Sequence, residues 1–141
     1  MKSPDLLTKL FRTRGLRVTP QRQALFGLLQ DDTSHPTVEA LHERARVEAP
    51  TISLKTVYQT VHDLEALGEV RLLDLGTGSV RVDPNVEHTH HHLVCRVCGR
   101  VRDVAVPARR VPIPDAVAAP DFRIDDVDVI YRGTCDRCDA G

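Results

Sequence analysis

The four cysteines of this 141-residue chain form two Cys-x-x-Cys pairs, Cys95 with Cys98 and Cys135 with Cys138. Two residues between thiolates let the backbone turn around a tetrahedral ion, and Gly99, directly after the first pair, eases that turn. Zinc is the usual occupant of a closed site of four thiolates. We therefore predict one structural zinc site. Redox dithiols are the alternative, but no thioredoxin-like βαβ pattern surrounds either pair.

A dense run of histidines precedes the first cysteine pair. If this segment is a strand, its side chains alternate between faces, so His90 and His92 share one face and His91 lies on the other. His90 and His92 could then chelate a second metal, with Asp83 and Asp103 as nearby oxygen donors. Mixed nitrogen and oxygen ligands suit Fe(II) or Mn(II). The pattern favours two separate metal sites over one.

The other histidines give weaker signals. His42 and His62 occur in helical segments and are predicted to be ordinary surface or core residues, because a lone histidine usually is. His88 and His91 stay open between a ligand role and an ordinary one.

The first half of the chain predicts short helices and a hairpin, which would position these ligands. Thr19, Thr37 and Ser53 are predicted N-caps, and Gly68 is a predicted helix end. Apolar stripes at helical spacing predict the buried faces of the helices, namely Ala24, Leu25, Leu28 and Leu29, then Val38, Leu41 and Ala45, then Val57, Val61 and Leu64. The segments EVRLLDL and VRVD, joined by GTGS, indicate a hairpin. Together they are typical of a winged helix-turn-helix domain over residues 1–83.

Residues 84–141 predict a different, smaller unit. HHHLVCRVCGRVRDVAV indicates two strands around a turn, and FRIDDVDVIYRGTC indicates a further strand. The proline-rich stretch between them allows at most a short helix. A unit this small, with few aromatic residues, buries little surface and needs a metal, a partner chain or both.

Bulk composition narrows the class of protein. A hydrophobic content of 41% and a charged content of 28% indicate a globular chain. No apolar run approaches the roughly 20 residues of a membrane span, and the N-terminus has no signal-peptide pattern, so a cytoplasmic location is expected. Residues 1–30 carry six basic side chains and one acidic side chain on a chain of net charge -1. This cluster fits a nucleic-acid footprint or a solvated helix face.

Five motifs, in their order and spacing, resemble the ferric uptake regulator (Fur) superfamily of metal-dependent transcriptional repressors. They are GLRVTPQR (15–22), HPT (35–37), SLKTVYQTV (53–61), HHHLVCRVCG (90–99) and IYRGTCDRC (130–138). The resemblance covers nearly the whole chain. It implies an α+β architecture, with an N-terminal winged helix-turn-helix followed by a small αβ metal-binding dimerisation domain. It also implies a homodimer that binds an inverted-repeat operator in double-stranded DNA and is not an enzyme.

The resemblance also implies the ligands of both metals. The four cysteines match the family's structural zinc site, and the regulatory Fe(II) or Mn(II) ligands match His35, Asp83, His90, His92 and Asp103. His35 is suggested by the resemblance alone.

Asp83 points to one branch of the family. Iron-responsive members usually have glutamate at this hinge position, whereas peroxide-responsive members have aspartate. The chain therefore resembles the peroxide-sensing (PerR-like) branch, and DDVDVIYRGTC resembles actinobacterial FurA (CatR) relatives. This branch implies control of catalase, peroxidase or iron genes. It also implies that peroxide oxidises a histidine ligand, here His35 or His90, in the Fe(II) form.

The helix predicted from Leu54 to Leu67, after the Ser53 cap, resembles the family's recognition helix. Lys55, Tyr58, Gln59 and His62 lie on its outer face at spacing i, i+3, i+4 and i+7. Tyr58 matches a base-contacting tyrosine. Gln59 stands where arginine is more common, and glutamine can read adenine in the major groove. Arg17 matches a basic residue that family members place in the minor groove.

Three other functions are open at this point. One is an iron- or zinc-uptake regulator of the same superfamily that ignores peroxide. Another is a metal hydrolase built on His90, His92 and Asp83, although no general base or nucleophile motif is present. The last is a zinc-stapled protein-interaction module, which a failure to bind any DNA duplex in the presence of metal would favour.

Overall fold

The computed structural model of the chain describes residues 1–87, 89–107, 111, 114, 120–125 and 127–139. The chain divides into two compact units, Met1–His88 and Thr89–Gly141. The first holds helices and a hairpin and the second holds a small sheet, so the fold class is α+β as predicted. Within the described residues, no helix has the length and apolar character to cross a membrane. The ranges predicted for the functional domains, 1–83 and 84–141, stay a prediction.

Four helices form most of the first unit, α1 (Pro4–Thr13), α2 (Pro20–Leu29), α3 (Val38–Ala45) and α4 (Leu54–Ala66). The predicted caps are confirmed, because the hydroxyls of Thr19, Thr37 and Ser53 accept hydrogen bonds from backbone N–H groups at 3.3, 3.1 and 3.1 Å. Each cap satisfies a donor that the helix itself leaves without a partner, which stabilises the fold by about 1 kcal/mol. Gly68 follows α4 with φ +71°, a conformation that favours glycine.

The core of the first unit is aliphatic around one aromatic pair. The predicted stripes on α3 and α4 are buried, which confirms them. In the stripe predicted for α2, Leu25 and Leu29 are buried and Leu28 is partly buried against the core, while Ala24 is only partly buried and the stripe omits Phe26, which is fully buried. The rings of Phe26 and Phe11 meet edge to face with centroids 4.9 Å apart. This pair turns α2 so that Phe26 faces inward.

The predicted hairpin is confirmed by β1 (Arg71–Leu73) and β2 (Arg81–Asp83), which pair antiparallel. β2 also contacts the HPT segment. The N–H of Val82 donates to the carbonyl of Pro36 at 2.9 Å, and Thr37 forms a bridge with Arg81. β2, the second strand of the hairpin, is therefore held beside the turn that precedes α3.

The second unit is a three-stranded sheet with the order β4-β3-β5. Its strands are β3 (His91–Cys95), β4 (Val101–Val104) and β5 (Ile130–Gly133). β3 runs antiparallel to β4, which confirms the predicted pair of strands, and parallel to β5. β5 is shorter than the segment predicted for it, and the proline-rich stretch lies largely outside the described residues. Cys95 pairs with Gly133, so both Cys-x-x-Cys pairs meet at one end of the sheet.

Candidate metal centres

The four cysteines lie together in the second unit. One sulfur from each lies within 4.8 Å of the others, and Cys98 Sγ is 3.7 Å from Cys135 Sγ. Sulfur atoms around a tetrahedral zinc ion with 2.3 Å bonds are separated by about 3.8 Å. Gly99 takes φ +71° in the turn after Cys98, as the spacing predicts. Four free thiols at this separation fit a zinc ion better than a disulfide, which needs a bond of about 2.05 Å.

Local hydrogen bonds shift the pKa values of two of these thiols in opposite directions. Backbone N–H groups of Cys98 and Cys135 stabilise the Cys95 thiolate and lower the pKa of Cys95 to about 6. The Cys138 thiol donates to Cys98 and Cys135, and these bonds raise the pKa of Cys138 to about 12. Like charges this close oppose one another, so the charge of a divalent cation is needed before all four can act as thiolates.

His90, His92 and Asp103 form a second group of donors in the same unit. Nε2 of His90 lies 3.7 Å from Oδ1 of Asp103, and the rings of His90 and His92 have centroids 4.9 Å apart. One ligand atom from each residue lies within 4.8 Å of the other two. His92 on β3 stands directly opposite Asp103 on β4, so the two side chains share a face of the sheet. Nitrogen and oxygen donors distinguish this group from the thiols.

His91 has a structural role of its own. It is buried, and its Nδ1 accepts a hydrogen bond from the N–H of Val129 at 3.3 Å. This bond ties β3 to the segment that leads into β5. His88, the other histidine that the sequence left open, lies outside the described residues.

His35 and Asp83 form a buried pair in the first unit. Nε2 of His35 lies 3.7 Å from Oδ1 of Asp83, and both side chains are 1% exposed. Nδ1 of His35 lies 3.2 Å from the carbonyl oxygen of Thr33. A carbonyl only accepts, so Nδ1 carries the proton and, in the neutral ring, Nε2 keeps the lone pair that a metal needs. Asp83 Oδ1 accepts a hydrogen bond from the N–H of Asn85 at 2.8 Å.

The turn that carries His35 is held by its surroundings. His35 itself has φ +49°, which is uncommon for a residue with a side chain, and the guanidinium of Arg81 donates to its carbonyl at 3.3 Å. Asp32 accepts from the N–H of Ser34 at 2.8 Å and pairs with Arg44 at 2.6 Å. Burial raises the pKa of Asp32, but the bonds from Ser34 and Arg44 outweigh it, so the net pKa is lowered. Tertiary contacts thus fix the backbone of His35.

α4 presents the outer face that the sequence predicts. Its exposed side chains include Lys55, Tyr58, Gln59 and His62. The hydroxyl of Tyr58, which is 41% exposed, donates to Oε1 of Glu39 on α3 at 2.7 Å. This hydrogen bond to the Glu39 carboxylate raises the pKa of Tyr58. Arg17 is exposed in the segment between α1 and α2.

A winged helix-turn-helix unit, joined in one chain to a small sheet with a four-thiol group, defines a winged-helix metal-responsive regulator. The model of the Ferric uptake regulator family matches residues 13–132, and the chain belongs to this family.

The relatives and structural neighbours agree with this assignment. The chain is 32% identical over 127 residues to the "Peroxide-responsive repressor PerR" of Staphylococcus epidermidis, which covers 90% of this chain and 84% of that protein. A zinc-bound manganese uptake regulator is 29% identical with a TM-score of 0.72, covering 95% of this chain and 99% of that one. The ferric uptake regulator of Helicobacter pylori, at 20% identity and TM-score 0.78 over 95% and 89% of the two chains, shares the fold.

Proposed function

We propose that this chain is a metal-dependent transcriptional repressor that binds an inverted-repeat DNA operator as a homodimer. The N-terminal unit reads DNA through Tyr58, Gln59 and Lys55 on α4, with Arg17 in the minor groove. Cys95, Cys98, Cys135 and Cys138 hold a structural zinc ion. Support comes from the family membership, the exposed face of α4 and the close approach of four sulfur atoms.

A separate regulatory site is proposed for Fe(II) or Mn(II). Its ligands are His35, Asp83, His90, His92 and Asp103. The support is chemical, since each unit brings together buried imidazole with carboxylate, and this donor set suits Fe(II) and Mn(II). Metal bound to ligands of both units would favour one arrangement of the chain that is competent for DNA, which is how a ligand shifts a conformational equilibrium.

We propose that this site responds to peroxide. The observation that carries the proposal is the 32% identity to a peroxide-responsive repressor over 90% of the chain. His35, Asp83, His90, His92 and Asp103 would hold Fe(II), which would supply the electron for the reduction of peroxide beside the ligand imidazoles. The carbonyl of Thr33 accepts from Nδ1 of His35 and leaves Nε2 beside Asp83, and His90 lies beside Asp103. Oxidation of either ring removes a ligand, and the repressor then leaves its operator.

Mass spectrometry after peroxide treatment tests this proposal. The Fe(II)-loaded protein should gain one oxygen atom on the peptide containing His35 or the one containing His90, and the Mn(II)-loaded protein should not. His42 is the matched internal control, because its Nε2 lies 3.0 Å from the carbonyl of Ile52 and it belongs to neither ligand group. Unmodified His35 and His90 in the Fe(II) form would exclude peroxide sensing.

A second candidate is a manganese or iron uptake regulator that is insensitive to peroxide. It is favoured by the 29% identity and TM-score of 0.72 to a zinc-bound manganese uptake regulator. Both candidates require metal for operator binding. They differ in that the uptake regulator's Fe(II) form should keep its operator affinity after peroxide, which an operator-binding titration before and after treatment measures.

A further inference from the structure

Three hydrogen-bonded side chains, Arg22, Asp63 and Gln59, link α2 to the outer face of α4. Nη2 of Arg22 lies 2.7 Å from Oδ2 of Asp63, and Nε2 of Gln59 donates to Oδ1 of the same carboxylate at 2.9 Å. Each carboxylate oxygen therefore has one partner. Gln59 and Asp63 are four residues apart on α4, the spacing that makes side chains neighbours on a helix.

The carboxylate of Asp63, which lies between Arg22 and Gln59, is held in place. The side chains of Arg22 and Asp63 are only 13% and 14% exposed. Arg22 packs over the ring of Phe11, with its guanidinium carbon 5.4 Å from the centroid, and donates through Nη1 to the carbonyl of Arg17 at 3.1 Å. Arg22 also offsets the charge of Asp63, which would otherwise repel DNA phosphates. One arginine thus anchors Asp63 to the core.

This anchoring decides which way the amide of Gln59 points. An ionised carboxylate only accepts hydrogen bonds, so Gln59 must turn Nε2, and not Oε1, toward Asp63. The amide nitrogen carries two hydrogens, and one is used. The other hydrogen and the Oε1 acceptor are left for a ligand at the exposed face of α4. Adenine offers the matching pair in the major groove, an N6 donor and an N7 acceptor.

We propose that Asp63, anchored by Arg22, is a positioning residue that fixes the amide of Gln59 for reading adenine. The inference rests on the proposed function, since it needs α4 to lie in the major groove. A glutamine without this partner rotates about its terminal bond and presents its amide in either orientation. Asp63 therefore sets base specificity without touching the DNA.

Selection from randomised DNA duplexes tests the proposal. The probe is a pool of inverted repeats with random half-sites, and the protein is the full chain with Zn(II) and Mn(II). Wild type should enrich one adenine in each half-site, and Gln59→Ala should reduce the preference for that base by about tenfold. Asp63→Asn should reduce the preference several-fold at the same position and leave other positions unchanged.

Two further variants separate positioning from folding and charge. Glu65→Gln removes a similar charge from α4 at a residue that pairs with His62, and it should select the wild-type motif. Asp63→Glu keeps the charge opposite Arg22 but shifts the carboxylate, so it should weaken the same preference while the protein stays folded by circular dichroism.

The outcomes are distinguishable. A wild-type motif that Asp63→Asn and Asp63→Glu reproduce unchanged, while Gln59→Ala alters it, would overturn the inference and leave the proposed function standing. A wild-type protein that enriches no motif with metal present would overturn both.

Discussion

The two units of this chain differ in the side chains that form their buried interiors. The first buries a continuous set of aliphatic side chains around Phe11 and Phe26, and three of its four helices, α2, α3 and α4, begin at hydroxyl caps. Among the described residues of the second unit, the buried apolar side chains are Val94, Cys95 and Val101. Val94 and Val101 stand opposite each other on β3 and β4, and the buried polar residues described in this unit are His90, His91 and His92.

From this difference we expect the first unit to fold by apolar burial alone and the second unit to need a bound metal ion. Hydrophobic burial and caps stabilise the first unit whatever the metal supply. In the second unit the four crowded thiols oppose compaction unless a cation neutralises the charge of their thiolates. We therefore expect the folding of the second unit, which has the smaller core, to depend on zinc more than the folding of the first.

The largest effect is expected from loss of the thiol site. Removing zinc with a strong chelator, or replacing Cys138 by Ser, should abolish amide protection in β3, β4 and β5 and leave α1 to α4 protected. Structural zinc sites in small domains are worth about 10–16 kcal/mol of apparent binding energy. Hydrogen exchange read by mass spectrometry measures both units in one experiment.

Val97→Ser is the control for this prediction, because Val97 lies between the two ligands of the first pair and is 69% exposed. It should leave protection unchanged. Protection of the sheet that survives complete zinc removal would contradict the contrast between the units.

Next in size is the loss of the aromatic pair in the first unit. Phe26→Ala should lower the free energy of unfolding of this unit by about 3–5 kcal/mol, because it removes a fully buried ring and leaves a cavity. Urea unfolding followed by circular dichroism measures it. Leu6→Ala, at a 50% exposed position of α1, should change the unfolding free energy by no more than about 0.5 kcal/mol. Equal effects of the two variants would place the core elsewhere.

We expect the proposed regulatory site to use ligands from both units. His92→Ala and His35→Ala should each weaken Mn(II) binding at least about tenfold if one ion uses ligands from each. Calorimetric titration of the zinc-loaded protein gives the affinities, and His42→Ala is the control. Weaker binding in His92→Ala with wild-type binding in His35→Ala would confine the site to the second unit.

The smallest effect concerns acid stability of the His35 turn. The folded-state pKa of Asp32 is lowered from 3.8, so its contribution to stability is present above that pH and is lost as pH falls through the folded-state value. Wild type should therefore be more stable than Asp32→Asn at pH 6, and the difference should shrink below about pH 4. Thermal unfolding midpoints of both proteins from pH 3 to 7 would show it. A difference independent of pH would assign the effect to packing instead of charge.

Much of the fold is readable from the sequence, because caps and spacing act locally. Thr19, Thr37 and Ser53 cap the helices they were predicted to cap, and the hairpin follows from its glycine-rich turn. The inward face of α2 was not readable in the same way. It depends on a ring-to-ring contact between Phe26 and Phe11, which lie on different helices.

The candidate metal ligands also differ in whether local sequence spacing or tertiary contacts position them. The Cys-x-x-Cys spacing alone predicts the thiol group, and strand alternation predicts that His90 and His92 are neighbours. His35 carries no local signal, since its position beside Asp83 is set by contacts between the turn and β2. Asp63 was missed for a related reason, because an acid on an outer helix face is usually solvated, and only the fold brings Arg22 to it.

The two cysteine pairs are synthesised at different times during translation. Cys98 and Cys135 are 37 residues apart, and every residue of the first unit precedes both of them. At a translation rate of about 5–20 residues per second, roughly 2–7 s pass between the appearance of the two pairs. The helical unit can complete its fold on the ribosome during this interval, while the first pair of thiols waits for the second. A chain interrupted in that interval would carry the complete helical unit with only two of the four thiols.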